Sequence, residues 1–590
     1  MPQKASSHFL PCLPLFLGVA LYLLCLPWME LRGSDEAVFA AIAREMVETG
    51  RYFQPAFQGQ PAQVFPLYPW LVCLCAGFQT PGLLAVRLPA VLAVFGMAAQ
   101  AFWVGRRHRD TRTGALAAAI VLTTFGAFRV GIYGQAETLH ACLLSGAWLA
   151  WHGLGALGRR WRLAWAVSLG LVFLDVLCAG LRATLLFYLP LLLTRMPPRT
   201  RRLLRAREHL ECLCVFALAL YLWFTLVCPQ PLTGWSALVG PLSSSAVPEG
   251  FFSHLLHFPL RCLRDLMPWS LFLWIPFCLA LKPLEPAGSL CGFLRATILT
   301  LFFLHWFMPG YSSLMMLPVL PGLAAMISFN LPIVMHRQER GWKRINRALS
   351  WGTLLILLYC ALHWMWVGLG RITFQGASLS TGVPALGWCV ALLSLLLGGW
   401  VWLQGRQPTG EGVAWLTLGV RLAWIALVVL PSFLTMGDRQ YAARKLLGQI
   451  PRGEGPLEGE AVRVPPGEPL YLLPRQKAFP AQMFYMDHRV LRLRKGEPLP
   501  GKPLYLIAGR QPLFPGWRWK KLSGPVDFQM HRKLEPSPLL LDGKMLLPNF
   551  PGRHYVRREL TPQEFPPHAL EYYEPLWMNL YQGDPEPMDW

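Results

Sequence analysis

VRLPAVLAVFGMAAQAFWVGRRHRDTR, residues 86–112, decides what kind of chain this is. Apart from Arg87 and Gln100, Val86 to Val104 is an apolar run. It is long enough to cross a hydrocarbon core roughly 30 Å thick, which takes about 20 residues of helix. GRRHRDTR (105–112) follows at once, a basic cluster of the kind that keeps its loop on the cytoplasmic side. Composition agrees with a membrane reading: the 590 residues are 54% hydrophobic and 15% charged, with a mean hydropathy of +0.37.

Working outward from this stretch gives thirteen candidate spans. The first seven are Phe9 to Met29, Val86 to Val104, Thr113 to Phe128, Thr138 to Leu157, Leu163 to Cys178, Leu181 to Leu193 and Leu210 to Cys228. The others are Leu266 to Leu281, Cys291 to Met308, Tyr311 to Met335, Trp351 to Gly368, Pro384 to Leu403 and Val413 to Met436. The pairs around Gly180 and Pro309 also read as single broken spans. Basic loops 105–112, 158–162, 195–207 and 336–344 fall after spans two, four, six and ten. That pattern puts the N-terminus inside, and an odd count puts everything after Met436 outside. Much of the +22 formal charge is therefore topological. A nucleic-acid partner is not expected, because the cations sit between spans and not on one soluble face.

The fourteen cysteines precede residue 390, nearly all within apolar runs, where Cys acts as a small hydrophobe. The tail has none, which excludes a disulfide scaffold or zinc ribbon there; Cys228 and Cys262 share one outer loop and could pair. No cleavage site follows the first span, which reads as a retained anchor. Two domains are expected: a polytopic body, 1–436, with a long first outer loop at 30–87, and an exported tail, 437–590. In the tail, EPLYLLP, MFYMDHRVLRL and KPLYLIAG, split by Pro and Gly, suggest a small α/β domain. It shows no phosphate loop or nucleophile elbow, and a shielding or docking role suits it.

The outer loop opens LRGSDEAVFAAIAREMVETG (31–50). Ser34 can cap a helix whose first turn holds Asp35 and Glu36 and whose Val38, Ile42 and Met46 share one face, an amphipathic surface helix. VFPLYPWLVCLCAGF (64–78) is a second such segment, too broken by proline to span. Two surface helices under a set of spans would roof a cavity at the interface. Acids in a first turn are also what the helix dipole favours, by roughly 0.3–1 kcal/mol, so spacing alone does not make Asp35 and Glu36 functional. Glu137, in VGIYGQAETL, adds a third carboxylate at the same membrane face, where acids are costly unless they meet water, a partner or a ligand.

SDEAVFAAIAREMVETGRYFQPAFQGQPAQVFPLYPWL (34–71) resembles the first periplasmic loop of bacterial GT-C membrane glycosyltransferases, among them the lipid A aminoarabinose transferases and the protein O-mannosyltransferases. Asp35, Glu36, Ile42, Arg44, Glu45, Met46, Gly50, Pro66, Leu67, Tyr68 and Trp70 match that loop. The likeness continues at low identity through GLLAVRLPAVLAVFG, GIYGQAETL (where Glu137 stands for an Asp), MPWSLFL, YSSLMMLPVLPGLAAM and the tail.

The resemblance implies an all-α polytopic GT-C body with a small C-terminal α/β domain, multi-pass in a bacterial inner membrane, its tail periplasmic. It implies transfer of a sugar from a polyprenyl-phosphate donor to an envelope acceptor, a membrane glycolipid or a protein, at the outer face with inversion. Asp35 inherits the general-base role, with Glu36 beside it. Glu137, Arg129, Arg182, Tyr68 and His305 become substrate-binding candidates, and Glu36 and Glu137 the candidates for a divalent metal, the one cofactor left open. The chain departs from the family at Gln63-Val64 (for Glu-Lys), Val38 (for Arg), Ala179-Gly180 (for Lys-Gly) and LHWFMPG, so the lipid phosphate loses several cations. Arg129 and Arg182 lie outside and could replace them, as could His254, His257 and His305, although Arg182 also reads as a snorkelling span-end residue. The rival readings are a transporter or flippase of lipid-linked sugars, which should show internal repeats that are not found here, and a non-catalytic relative.

Overall fold

The computed structural model describes residues 18–430 except 24–25, 27–30, 32–33, 194–205, 228–249, 371–382, 406–409 and a few single positions. Beyond 430 it describes chiefly 464–473, 480–493, 504–508, 517–527, 532–534 and 577–585. Most of the first expected span, Phe9 to Met29, and Cys228 lie outside these residues; 18–23 are helical. Cys262 is a free thiol.

The first outer loop holds two helices, α1 (Ser34–Thr49) and α2 (Leu67–Cys75), joined through a two-residue hairpin of β1 (Ala56–Phe57) and β2 (Gln60–Pro61). Then come α3 (Leu83–His108), α4 (Thr111–Thr123), α5 (Phe125–Ile132), α6 (Ala136–Ala150), α7 (Trp161–Ala179), α8 (Arg182–Leu193) and α9 (Arg207–Leu222). The second half of the body is built from α10 (Phe251–Asp265), α11 (Gly288–Trp306), α12 (Leu320–Arg337), α13 (Glu339–Gly368), α14 (Val383–Gly405) and α15 (Gly410–Trp424).

Among the described residues, seven helices are long and apolar enough to cross a membrane, or eight if the bent pair α4–α5 is one span. The chain is a multi-pass membrane protein. Exposed apolar side chains such as Val215, Leu218, Leu392 and Leu396 are what a lipid-facing surface carries. The buried centre is the stretch Ser313–Arg337, every residue of whose most apolar window is inside.

Local sequence explains these elements. Arg106, Arg107 and His108 close α3 at the negative end of its dipole. Asp110 caps α4, accepting from the Thr113 N–H at 2.7 Å. Gly105 and Gly114 let α3 and α4 touch, since a Cβ on Gly105 would lie 2.7 Å from the Gly114 Cα. The expected span Thr113 to Phe128 is bent by 60° at Thr124, whose hydroxyl donates back to the Ile120 carbonyl at 2.7 Å.

One expected span is overturned. Leu266 to Leu281 is no membrane helix: it runs through 3-10 turns at Trp269–Phe272, Ile275–Phe277 and Leu279–Leu284. Pro268, Pro276 and Pro283 each remove a helix donor, so the backbone cannot hold one continuous ladder there.

In the tail, β3 (Leu470–Leu472), a short helix α16 (Pro480–Phe484), β4 (Val490–Arg492), β5 (Leu504–Ala508), β6 (Trp517–Asp527) and β7 (Trp577–Pro585) contribute to a five-stranded sheet of order β4-β3-β5-β7-β6. β3 runs parallel to β4 and β5, and β7 runs antiparallel to β5 and β6. Leu470, Leu472, Met486, Ile507 and Leu580 are buried together in its core.

Candidate active site

Helix α1 brings Asp35 and Glu36 to the body in its first turn, where both are buried. Glu36 accepts from Arg87 Nε at 2.5 Å with neither side chain exposed, and Arg87 Nη1 donates to the Leu26 carbonyl at 2.9 Å. A buried carboxylate needs such a partner, because desolvating it alone would cost several kcal/mol or more. Tyr68 on α2 donates to the Val86 carbonyl at 2.9 Å and packs on Phe39, ring centroids 4.8 Å apart. Burial, with the Glu36 carboxylate next in effect, holds the Tyr68 hydroxyl well above its ordinary pKa.

The loop between α5 and α6 closes over this pair. Gly134 has φ +60°, and a Cβ there would lie 3.2 Å from the Val86 carbonyl oxygen and 3.4 Å from the Cγ atoms of Arg87 and Glu36. Only glycine adopts that turn against that surface without strain. Glu137 follows in the first turn of α6, 2% exposed, with Asp35, Arg182 and Arg129 as its charged neighbours.

On the far side of Glu137, Arg182 opens α8, 5% exposed, and meets the Tyr311 hydroxyl. His305, at the end of α11, is buried, its ring 5.3 Å from that of Tyr311, and its carbonyl lies 3.0 Å from His254 Nε2. Arg129 at the end of α5 lies 3.5 Å from Asp265, which also pairs with Arg264 at 3.0 Å and accepts from the Ser313 hydroxyl. Arg129, Arg264 and Arg421 line an apolar groove of about 650 Å³ together with Phe128, Leu416 and Trp424.

Asp35, Glu36, Glu137, Tyr68, Arg182 and His305 thus gather in one region, with Arg129 at its edge on the groove side. His257 is exposed and bonded within its own helix, to Ser253. Sequence reasoning missed Arg87, the partner of Glu36. It also missed His140 and Asp175, which face each other inside the body with Nδ1 to Oδ1 at 2.8 Å. An aspartate within the apolar run of α7 was the available signal.

A divalent metal does not fit these residues well. Hard cations take six or more oxygen ligands, and Glu36 is committed to Arg87. Among the described residues no three His, Cys, Asp or Glu side chains form a metal-ligating group.

The tail meets α1 directly. Arg44 donates to the carbonyls of Met486 and Phe484 at 3.1 and 3.0 Å and lies over the Phe484 ring. The Leu31 N–H donates to the Tyr485 hydroxyl at 3.0 Å. Arg492 grips Gln58 Oε1 through Nε and Nη2, and Arg489 lies 3.9 Å from Glu45. Glu45 also accepts from the Gly59 N–H at 3.0 Å; burial raises its carboxyl above the ordinary range, against the lowering pull of that bond and of Arg489.

No family model matches the chain. It is 32% identical over 158 residues to the undecaprenyl phosphate-alpha-4-amino-4-deoxy-L-arabinose arabinosyl transferase of Edwardsiella ictaluri, a match covering 26% of this chain and 29% of that relative. Crystal structures of ArnT from Cupriavidus metallidurans, apo and bound to undecaprenyl phosphate, each superpose with a TM-score of 0.61 at 16% identity. Each covers 85% of this chain and 93% of that one. At that identity the likeness is one of fold: this chain is built as ArnT is.

Proposed function

We propose that this chain is an inverting glycosyltransferase of a bacterial inner membrane, moving a sugar from a polyprenyl-phosphate donor to an envelope acceptor at the outer face. The observation that carries the reading is the convergence of Asp35 and Glu137 from two loops, locked together by the Glu36–Arg87 pair and the Gly134 turn. The local match to an undecaprenyl-phosphate arabinosyl transferase and the fold of an ArnT that binds undecaprenyl phosphate support it. So does the apolar groove with arginines in its lining, which suits a lipid-borne substrate. In this reading the C-terminal α/β domain, 437–590, lies in the periplasm against α1.

Asp35 acts as general base. An acceptor oxygen attacks the anomeric carbon while Asp35 takes its proton; the bond from that carbon to the phosphate oxygen breaks, and its electron pair leaves with the lipid phosphate. Attack from the face opposite the leaving group inverts the centre. Arg182, Tyr311 and His305 receive the leaving phosphate, their charge and donors acting strongly in a site that excludes water. Glu137 orients the acceptor, Tyr68 braces α2 against the Val86 carbonyl beside it, Arg129 serves the groove side, and Glu36 works through Arg87 as a positioning residue.

The test is mass spectrometry of envelope lipids and glycoproteins from cells lacking the gene, complemented with wild type or with Asp35→Asn. A sugar mass that disappears in the deletion and returns only with wild type is the expected result, and the shifted species identifies the acceptor. Full restoration by Asp35→Asn would sink the general-base assignment.

A further inference from the structure

Three helices converge behind Glu137. His140 lies one turn along α6 from it, on the same face. Asp175 and Cys178 lie one turn apart near the end of α7, and the Cys178 thiol reaches the Ala136 carbonyl at 3.6 Å. Arg182 opens α8 just past Gly180, with Asp175 and Glu137 among its charged neighbours.

Within this junction His140 Nδ1 sits 2.8 and 3.0 Å from the two oxygens of Asp175, and both residues are shut off from solvent, at 1% and 0% exposure. A carboxylate inside an apolar run is costly and calls for a reason beyond packing. Among the described residues His140 Nε2 is buried with no hydrogen-bond partner, and so is Nδ1 of His305, which lies within electrostatic reach of both His140 and Arg182. A buried ring nitrogen able to make one more hydrogen bond, in the junction that also holds Arg182 and His305, suits an anion.

We propose that His140, oriented by Asp175, binds the phosphate of the lipid-linked donor, its Nε2–H completing an anion site with Arg182 and Tyr311. Asp175 is a positioning residue: its carboxylate accepts from Nδ1–H and fixes the ring, and the incoming phosphate is the acceptor that an Nε2–H requires. This site rests on the glycosyl-transfer reading and adds to it two residues that neither motif nor periodicity indicated.

The test uses the full chain in lipid nanodiscs and compares binding of undecaprenyl phosphate with undecaprenol, which lacks only the phosphate. Wild type should prefer the phosphate. His140→Leu should lose roughly tenfold in affinity for undecaprenyl phosphate, the size of one charge-assisted hydrogen bond, with undecaprenol unaffected. His140→Gln, whose amide NH2 can reach the place of Nε2, should stay within about threefold. In ¹⁵N-histidine spectra, the resonance that His140→Gln removes should shift on adding undecaprenyl phosphate and not undecaprenol, and Asp175→Asn should abolish that shift. If His140→Leu binds the phosphate as well as wild type, or the His140 resonance does not respond, the pair only pins two helices and the transfer reading survives. If wild type does not discriminate phosphate from alcohol, the transfer reading falls and this site with it. Should His140→Leu not fold, the Gln variant and the spectrum decide.

Discussion

Arg87 and Glu36, fifty-one positions apart, form a fully buried ion pair in which Arg87 Nε lies 2.5 Å from the carboxylate. The pair ties the first turn of α1, where Asp35 sits, to the second turn of α3. Removing one member leaves the other as an uncompensated buried charge, so Arg87→Gln should destabilise the protein by about 3–5 kcal/mol. Thermal unfolding of the detergent-solubilised variant checks this. The double change Arg87→Gln with Glu36→Gln should be less destabilised than the two single losses added together, because no lone charge remains. Additive losses would mean that the two side chains do not interact as described.

Gly134 is held at φ +60° against Glu36 and Arg87. Gly134→Ala forces a Cβ into a left-handed turn, at a cost of roughly 1–2 kcal/mol. It also crowds the Val86 carbonyl. Transfer activity should fall more than unfolding temperature, since this turn sets the approach of Glu137 to Asp35. Equal activity in the two proteins would show that the loop has slack.

The sequence made some of this legible and hid the rest for physical reasons. Asp35, Glu36 and Glu137 stand out because a carboxylate beside an apolar run is expensive and easily noticed. Arg87 hides because one arginine at the end of such a run also reads as a snorkelling residue. Tyr68 was indicated by the motif, yet its hydroxyl is spent on the Val86 carbonyl, a contact that only folding reveals. The Leu266 to Leu281 span failed because hydropathy counts apolar side chains and ignores the donors that Pro268 and Pro276 remove within it. The bend at Thr124 carried no proline at all. Contacts of Arg44 and Gln58 with the tail join residues more than four hundred positions apart, a distance over which periodicity carries no information.

Arg44 is the chief fastener between α1 and the tail, with two hydrogen bonds to backbone carbonyls and a ring beneath its guanidinium. Arg44→Ala should release residues 480–493, raising their hydrogen exchange while the helices of the body keep their protection. Arg44→Lys should rescue this only in part, because an ammonium does not reproduce the planar fork. Unchanged exchange in the alanine variant would mean that Tyr485 and Arg492 suffice to dock the tail.

Glu45 gives the same interface a pH response. Burial raises its folded carboxyl above the value it has in the unfolded chain, so the folded protein holds that proton more tightly. The stabilisation from this linkage is fully present below the unfolded pKa and is lost as pH rises through the folded one, because the native state then carries a partly desolvated charge. Glu45→Gln keeps an oxygen for the Gly59 N–H and has no proton to lose. Its unfolding temperature, compared with wild type across the interval just above the ordinary carboxylate pKa, should therefore decline less as pH rises. If the two profiles run parallel through that interval, Arg489 and the Gly59 N–H offset the burial of Glu45 in full, and the pH dependence of the interface has another source.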